Sequence, residues 1–238
     1  MRRLLLISNS TMHGRSYLDH VRDELQSFLT GVGELLFVPW ALADHDAYAA
    51  KAISAFAPLG IRVRSLHTAP DVPAAIQSAE AVFVGGGNTF RLLHRLQQSG
   101  AAPALTARAM SGMRYVGSSA GTGIAAPTIR TTNDMPIVEP QSLASLALVP
   151  FQINAHYLDP DLHSTHMGET REERLRQFHE ENAAPVLGLR EGGWLVVDGS
   201  CMELRGNQPA RLFVRGHAPT EYAPPFDLSF LLSKKELR

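Results

Sequence analysis

Short apolar runs alternate with amphipathic stretches along the first half of this chain. Residues 4–7, 35–38 and 81–84 carry no polar side chain, which is typical of strands buried on both faces of a sheet. Residues 17–29 and 44–56 instead show the three- and four-residue spacing of an amphipathic helix. This alternation predicts right-handed βαβ crossovers, and hence an α/β fold with one mostly parallel sheet and helices on both faces.

The length of the chain and its C-terminal turns limit the domain organisation. A chain of 238 residues suits one α/β domain, so we expect residues 1–238 to fold as a single unit. From residue 194 onward, short apolar stretches are separated by Asp-Gly and Gly-Asn turns. This pattern predicts a C-terminal β-hairpin extension of the fold.

Charge and cysteine content exclude several classes of protein. The formal net charge of -1 removes the usual electrostatic basis for binding nucleic acid. One cysteine, Cys201, excludes an internal disulfide framework, and the first apolar run is too short for a signal peptide or a membrane span. We therefore expect a cytoplasmic protein with no nucleic-acid partner and no membrane partner.

The stretch at residues 117–121 fits the Gly-x-Ser-x-Gly pattern of a nucleophile elbow and follows a short apolar strand. Such a turn lifts the hydroxyl of its central residue, Ser119, clear of the sheet. Ligands of α/β sheets bind beyond the carboxyl ends of the strands, where this turn and the triple glycine at residues 85–87 both lie. A Gly/Ser-rich loop is the alternative, so Ser119 needs catalytic partners to count as a nucleophile.

A serine nucleophile needs a base and a group that orients the base. Among the ten histidines, His156 is the one that directly follows a predicted buried strand, and Glu191 likewise ends the strand at residues 186–189. The alternatives are that His156 is a loop histidine bonded to backbone and that Glu191 is a solvated loop carboxylate. The chain order Ser119, His156, Glu191 also differs from the Ser, acid, His order of α/β-hydrolases, which argues against that fold.

Backbone amides at glycine-rich turns can stabilise an oxyanion, and Gly87 and Ala120 are the candidate donors. A phosphate cradle is the competing interpretation of the glycine turn. Phe90, however, stands where the last glycine of Gly-x-Gly-x-x-Gly belongs. His163 and His166 lie three residues apart without a third ligand in a recognisable pattern, so we expect no metal site.

Four stretches together resemble the peptidase E family, the α-aspartyl dipeptidases of serine peptidase family S51. They are residues 84–90, 117–121, 127–138 and 168–174, of which the Thr-Asn-Asp-Met-Pro region is the most specific. The resemblance runs from residue 4 to residue 194. It implies a flavodoxin-like fold related to class I glutamine amidotransferases, and hydrolysis of dipeptides with an N-terminal aspartate by a Ser-His-Glu triad.

Carried over residue by residue, the resemblance implies Ser119 as nucleophile, His156 as base and Glu191 as the orienting acid. Asp134 matches an aspartate that the family also associates with activity, sometimes as the charge-relay acid. The choice between the two acids stays open, and the strand end favours Glu191. Ser118 and Ala155 depart from the family pattern, which has an aromatic residue and a proline there.

An N-terminal aspartate brings a carboxylate into the site, and arginine binds carboxylates in a bidentate way. The candidates are Arg171, which follows a capping box beginning at Thr170, and Arg130 in the polar loop; either could instead be a structural ion-pair partner. Asn88, in the glycine turn, is a third candidate for substrate binding.

These observations predict a cofactor-free serine exopeptidase that cleaves a small peptide through an acyl-enzyme and exists as a monomer or homodimer. One alternative is a serine hydrolase of the same fold with another specificity, such as a cyanophycinase-like enzyme or a broader dipeptidase. The other is a non-catalytic module that binds an anion at residues 85–88.

Overall fold

Twelve strands in two separate sheets appear in a computed structural model, which describes residues 1–161, 163, 165 and 167–233. The strands are β1 (Arg3–Ile7), β2 (Glu34–Val38), β3 (Arg62–Ser65), β4 (Ala81–Val84), β5 (Arg114–Ser118), β6 (Gln152–Ala155), β7 (Val186–Leu189), β8 (Gly193–Asp198), β9 (Cys201–Gly206), β10 (Ala210–Phe213), β11 (Thr220–Tyr222) and β12 (Phe226–Asp227). The helices are α1 (Arg22–Phe28), α2 (His45–Phe56), α3 (Val72–Gln77), α4 (Thr89–Gln98), α5 (Ala101–Met110), α6 (Ala120–Gly123) and α7 (Arg171–Glu181).

The larger sheet has the strand order β12-β9-β8-β1-β5-β4-β2-β3. Its strands β1, β5, β4, β2 and β3 are parallel, as the strand and helix alternation predicts, and β8, β9 and β12 are antiparallel. The hairpin of β8 and β9 pairs with β1 through β8, so it lies within this sheet. The fold is therefore a mixed α/β fold.

Alternate side chains of β1 face opposite sides of the larger sheet. Leu4 and Leu6 join an apolar cluster with residues of α3, α4, α5 and α6, whereas Leu5 and Ile7 join a second cluster with α1 and α2. All four side chains are fully buried. Helices thus cover both faces, which explains why these strands are continuously apolar rather than alternating.

The smaller sheet has the order β11-β10-β7-β6, with β6 and β7 parallel and the other pairs antiparallel. The prediction of one sheet was therefore wrong. An apolar run predicts a buried strand, but its composition does not say which strand it pairs with. Leu187 and Leu189 of β7 belong to the same apolar cluster as Leu4, so the two sheets share one core.

The part of the chain that the structure describes contains no helix long and apolar enough to cross a membrane.

Candidate active site

Ser119 occupies the turn between β5 and α6, in a backbone conformation that few non-glycine residues adopt. Its φ is 53° and its ψ is -111°. Small neighbours make this turn possible, because a Cβ at Gly117 would lie 2.5 Å from the Gly121 carbonyl oxygen and one at Gly86 would lie 2.9 Å from the Ser119 Cβ. The local sequence therefore presents the Ser119 hydroxyl in the strained geometry of a nucleophile elbow.

His156 follows β6 and brings its imidazole to Ser119. Its Nε2 lies 2.8 Å from the Ser119 Oγ. The backbone of His156 is also unusual, with φ 54°, and its N–H donates to the Oγ of Ser8 at 3.0 Å. Ser8 in turn donates to the Leu189 carbonyl at 2.7 Å, so a buried hydroxyl at the end of β1 links both strand ends of the smaller sheet to the larger sheet.

Glu191 follows β7 and completes a chain of polar contacts. Its Oε1 lies 2.6 Å from the Nδ1 of His156. An ionised carboxylate only accepts hydrogen bonds, so Nδ1 donates to Glu191 and Nε2 is left to accept the proton of Ser119. The turn after Glu191 is held by Asn9, whose Oδ1 accepts the Gly192 N–H at 2.8 Å. The structure thus brings together the three residues in the arrangement that nucleophilic catalysis requires.

Asp134 lies apart from this chain of contacts. Its Oδ2 accepts hydrogen bonds from the N–H and Oγ1 of Thr89, at 2.8 and 2.5 Å, and from the Oγ1 of Thr132 at 3.2 Å. Thr89 is the first residue of α4, so the carboxylate sits at the positive end of a helix dipole. The other oxygen of Asp134, Oδ1, has no hydrogen-bond partner within the described residues. Of the two candidate acids, Glu191 is the one that contacts His156.

A cavity of about 260 Å³ borders Ser119 and His156, and both Asp134 and Arg171 lie in its wall. Arg171 is the first residue of α7, and the predicted capping box at Thr170 is confirmed. Burial lowers the pKa of Arg171, and the positive charge of Arg174 acts in the same direction, whereas the Asp134 carboxylate opposes both. Because a guanidinium loses its proton only far above neutral pH, Arg171 remains cationic in the cavity.

The two predicted oxyanion donors have different positions. Ala120 lies in the cavity wall as the first residue of α6, where its N–H has no acceptor within the helix. Gly87 lies outside the residues that line the cavity; its φ is 135°, and a Cβ added there would lie 2.6 Å from the Ala41 carbonyl oxygen. Within the triple glycine it is Gly86 whose added Cβ would meet Ser119, whereas the sequence analysis named Gly87 as the donor.

Two predicted substrate ligands, Asn88 and Arg130, do not line the cavity. Asn88 is the N-cap of α4: its Oδ1 accepts the Arg91 N–H at 3.0 Å and its Nδ2 donates to the Met135 carbonyl at 2.8 Å, so its amide is occupied. Arg130 is exposed and does not line the cavity. Ser118, the first departure from the family pattern, is fully buried outside the cavity wall, whereas Ala155 is part of that wall.

Several supporting residues were missed from the sequence. Ser8 and Asn9 directly follow β1, so the strand-end argument that selected His156 also applies to them. Asn154 is a buried amide of β6, and it donates to the Thr131 carbonyl at 2.7 Å and thereby holds the polar loop against that strand. A polar residue in a buried strand is a signal that could have found it.

No group of three His, Cys, Asp or Glu side chains among the described residues could hold a metal ion. His166, one of the two histidines considered for a metal site, lies outside the described residues.

Comparison with known proteins gives consistent matches. The model of peptidase family S51 matches residues 4–205. The chain is 59% identical over 229 residues to "Peptidase E" of Streptomyces coelicolor, covering 96% of this chain and 94% of that protein. It is 48% identical over 236 residues to the "Probable alpha-aspartyl dipeptidase" of Drosophila melanogaster, covering 98% of each. The solved structure of a peptidase from an acI-B1 Actinobacterium aligns with a TM-score of 0.72 over 97% of each chain, and at 14% identity this likeness concerns the fold alone.

Proposed function

This chain belongs to peptidase family S51, and we propose that it is a serine exopeptidase that hydrolyses dipeptides with an N-terminal aspartate. The observation that carries the proposal is the contact chain of Glu191, His156 and Ser119, with distances of 2.6 and 2.8 Å, beside a cavity that holds one cationic and one anionic side chain. The names of the Streptomyces and Drosophila relatives support the substrate class.

In the proposed reaction, the Ser119 Oγ attacks the carbonyl carbon of the aspartyl residue while its proton passes to the Nε2 of His156. The Glu191 carboxylate stabilises the imidazolium that forms. The amide of Ala120, in the cavity wall, stabilises the oxyanion. His156 then donates the proton to the leaving amine, an aspartyl ester remains on Ser119, and a water activated by His156 hydrolyses it. These steps use groups of the chain and water.

The cavity also supports a choice of substrate. At about 260 Å³ it lies at the small end of ligand pockets, which suits a single residue rather than a long peptide. Arg171 would bind the side-chain carboxylate, and the unoccupied Oδ1 of Asp134 would bind the α-ammonium group. Because an internal residue of a peptide has no such ammonium, a site of this kind selects for the N-terminal residue and makes the enzyme an exopeptidase.

The primary test uses two adjacent serines. Ser119→Ala should abolish hydrolysis of Asp-Leu while circular dichroism shows an intact fold. Ser118→Ala is the matched control, because the Ser118 hydroxyl is buried and lacks a hydrogen-bond partner within the described residues, so its removal should leave kcat and KM unchanged. Unchanged turnover of the Ser119→Ala protein in a clean preparation would reject the proposal.

The substrate class is tested with four peptides: Asp-Leu, Ala-Leu, β-Asp-Arg and N-acetyl-Asp-Leu. Acetylation removes the ammonium charge, and kcat/KM should fall by roughly 10–100-fold, the usual value of a charge-assisted hydrogen bond. Asp134→Asn should reduce this discrimination, whereas Arg171→Gln should reduce the preference for Asp-Leu over Ala-Leu. Equal kcat/KM on Asp-Leu and Ala-Leu would contradict aspartyl selectivity, and faster cleavage of β-Asp-Arg would indicate a cyanophycinase-like specificity.

We further propose that residues 1–238 form one domain with a flavodoxin-like, class I glutamine amidotransferase-like arrangement, extended by the hairpin of β8 and β9. The apolar cluster common to both sheets supports a single domain. The net charge of -1 supports a protein that takes a small peptide substrate without nucleic-acid or membrane partners. We also propose that it acts in the cytoplasm, as a monomer or homodimer.

A further inference from the structure

The residue before Glu191 is an arginine whose guanidinium uses every one of its five N–H groups. Nε and Nη2 of Arg190 donate to the two carboxylate oxygens of Asp159, both at 2.7 Å. Nη1 and Nη2 donate to the two oxygens of Glu221, both at 2.8 Å, and Nη1 also donates to the Pro209 carbonyl at 2.8 Å. The side chain is 14% exposed and lies over the ring of Tyr157. We call Arg190, Asp159 and Glu221 the Arg190 clamp.

The clamp joins the segments that carry the base and the acid. Asp159 lies three residues after His156, and Arg190 immediately precedes Glu191. Glu221 belongs to β11, at the edge of the smaller sheet, and anchors the guanidinium from the other side. One side chain therefore ties the segment after β6 to the turn after β7.

The contact between His156 and Glu191 needs support from outside the two side chains. The side chains of His156 and Glu191 are 40% and 53% exposed, so packing alone does little to hold their 2.6 Å contact. His156 also has a positive φ, a conformation that persists only where the surrounding structure enforces it. The position of the imidazole thus depends on how firmly its segment is fixed to the turn of Glu191.

We propose that Arg190 is a positioning residue for the reaction, which holds His156 and Glu191 in register by clamping residues 156–159 onto residues 190–192. The catalytic part rests on the function proposed above. A planar fork that binds two carboxylates in a bidentate way is specific to arginine, because a lysine ammonium is a point charge that cannot reproduce it. A lysine at position 190 would keep the positive charge but would not hold His156 and Glu191 in register.

The test compares Arg190→Lys with Arg205→Lys. Arg205, on β9, also binds two carboxylates, Glu24 and Glu203, but makes no hydrogen bond to His156 or Glu191 within the described residues. Misplacement of catalytic groups by about 1 Å can cost roughly 100-fold in rate, so kcat on Asp-Leu should fall by about 10–100-fold in Arg190→Lys with KM within about two-fold. Arg205→Lys should retain the wild-type kcat even where both variants lose thermal stability.

A second measurement separates this proposal from the proposed function. The rate at which diisopropyl fluorophosphate labels Ser119 reports the activated hydroxyl without any peptide. It should fall in Arg190→Lys in parallel with kcat, and it remains informative if the wild-type protein fails to cleave Asp-Leu. Should Arg190→Lys not fold, Asp159→Asn weakens the same clamp and should lower both rates in the same direction. A folded variant with wild-type kcat and labelling rate, or one that changes KM alone, would overturn the positioning role.

Discussion

A methyl group added at Gly86 should disable the candidate nucleophile while leaving the fold in place. The Cβ of an alanine there would lie 2.9 Å from the Ser119 Cβ, 3.2 Å from the Ser118 carbonyl oxygen and 3.5 Å from the Ser119 Oγ. Carbon atoms pack best at about 3.5–4.0 Å, so the new contact is too short by about 0.6–1.1 Å. Either Ser119 or the glycine turn has to move by that distance.

The size of this displacement sets the expected loss. The Ser119 Oγ lies 2.8 Å from the Nε2 of His156. Lengthening this contact by about 0.6 Å or more takes it beyond the normal range of a hydrogen bond from a hydroxyl, which ends near 3.0 Å. A shift of about 1 Å at reacting groups costs roughly 100-fold, so we expect kcat on Asp-Leu to fall by about 10–100-fold in Gly86→Ala. Overpacking should also lower the free energy of unfolding by about 1–3 kcal/mol.

The assay combines steady-state kinetics with urea unfolding at the same temperature. Gly33→Ala is the matched control, because a Cβ at Gly33 meets no heavy atom within 4 Å and the residue does not need a positive φ. That variant should keep the wild-type kcat. A folded Gly86→Ala protein with undiminished kcat would refute the reasoning, since it would mean that the hydroxyl of Ser119 need not occupy the position seen here.

Three further predictions follow from the same geometry. Glu191→Gln should lower kcat by up to roughly 10⁴-fold, because an amide cannot stabilise the imidazolium, and a larger kcat loss in Asp134→Asn would identify the other acid as the orienting group. Gly121→Ala places a Cβ against the Val84 carbonyl and should lower the free energy of unfolding by about 1–3 kcal/mol in urea titrations; equal stability would contradict this packing. Hydrogen bonds from Arg190 lower the pKa values of the two clamp carboxylates, Asp159 and Glu221, from their ordinary 3.8 and 4.5. The difference in free energy of unfolding between wild type and Arg190→Gln should therefore be largest above these ordinary values and decrease as pH falls through the lowered pKa values of the folded protein. A difference that does not change with pH would exclude the effect.

Predictions from the sequence were most accurate for residues whose position is determined by the strand that precedes them. His156 and Glu191 were selected because each comes just after a predicted buried strand, and strands of α/β sheets place their following residues at one edge. Asn88 and Arg130 were chosen by residue type inside loops, where the direction of a side chain depends on hydrogen bonds that spacing does not reveal. The amide of Asn88 caps a helix, an equally ordinary use of asparagine in that position.

The pairing of strands was the part that the sequence could not supply, and it changes how the candidate site is held together. Ser119 belongs to the larger sheet, whereas His156 and Glu191 belong to the smaller one. A shift of one sheet against the other would therefore separate the hydroxyl from the imidazole while leaving the contact between His156 and Glu191 intact. Ser8 bonds to both strand ends of the smaller sheet and opposes such a shift, whereas Arg190 acts within the smaller sheet. A substitution at Ser8 should thus lengthen the contact between Ser119 and His156. A substitution at Arg190 should instead disturb the contact between His156 and Glu191.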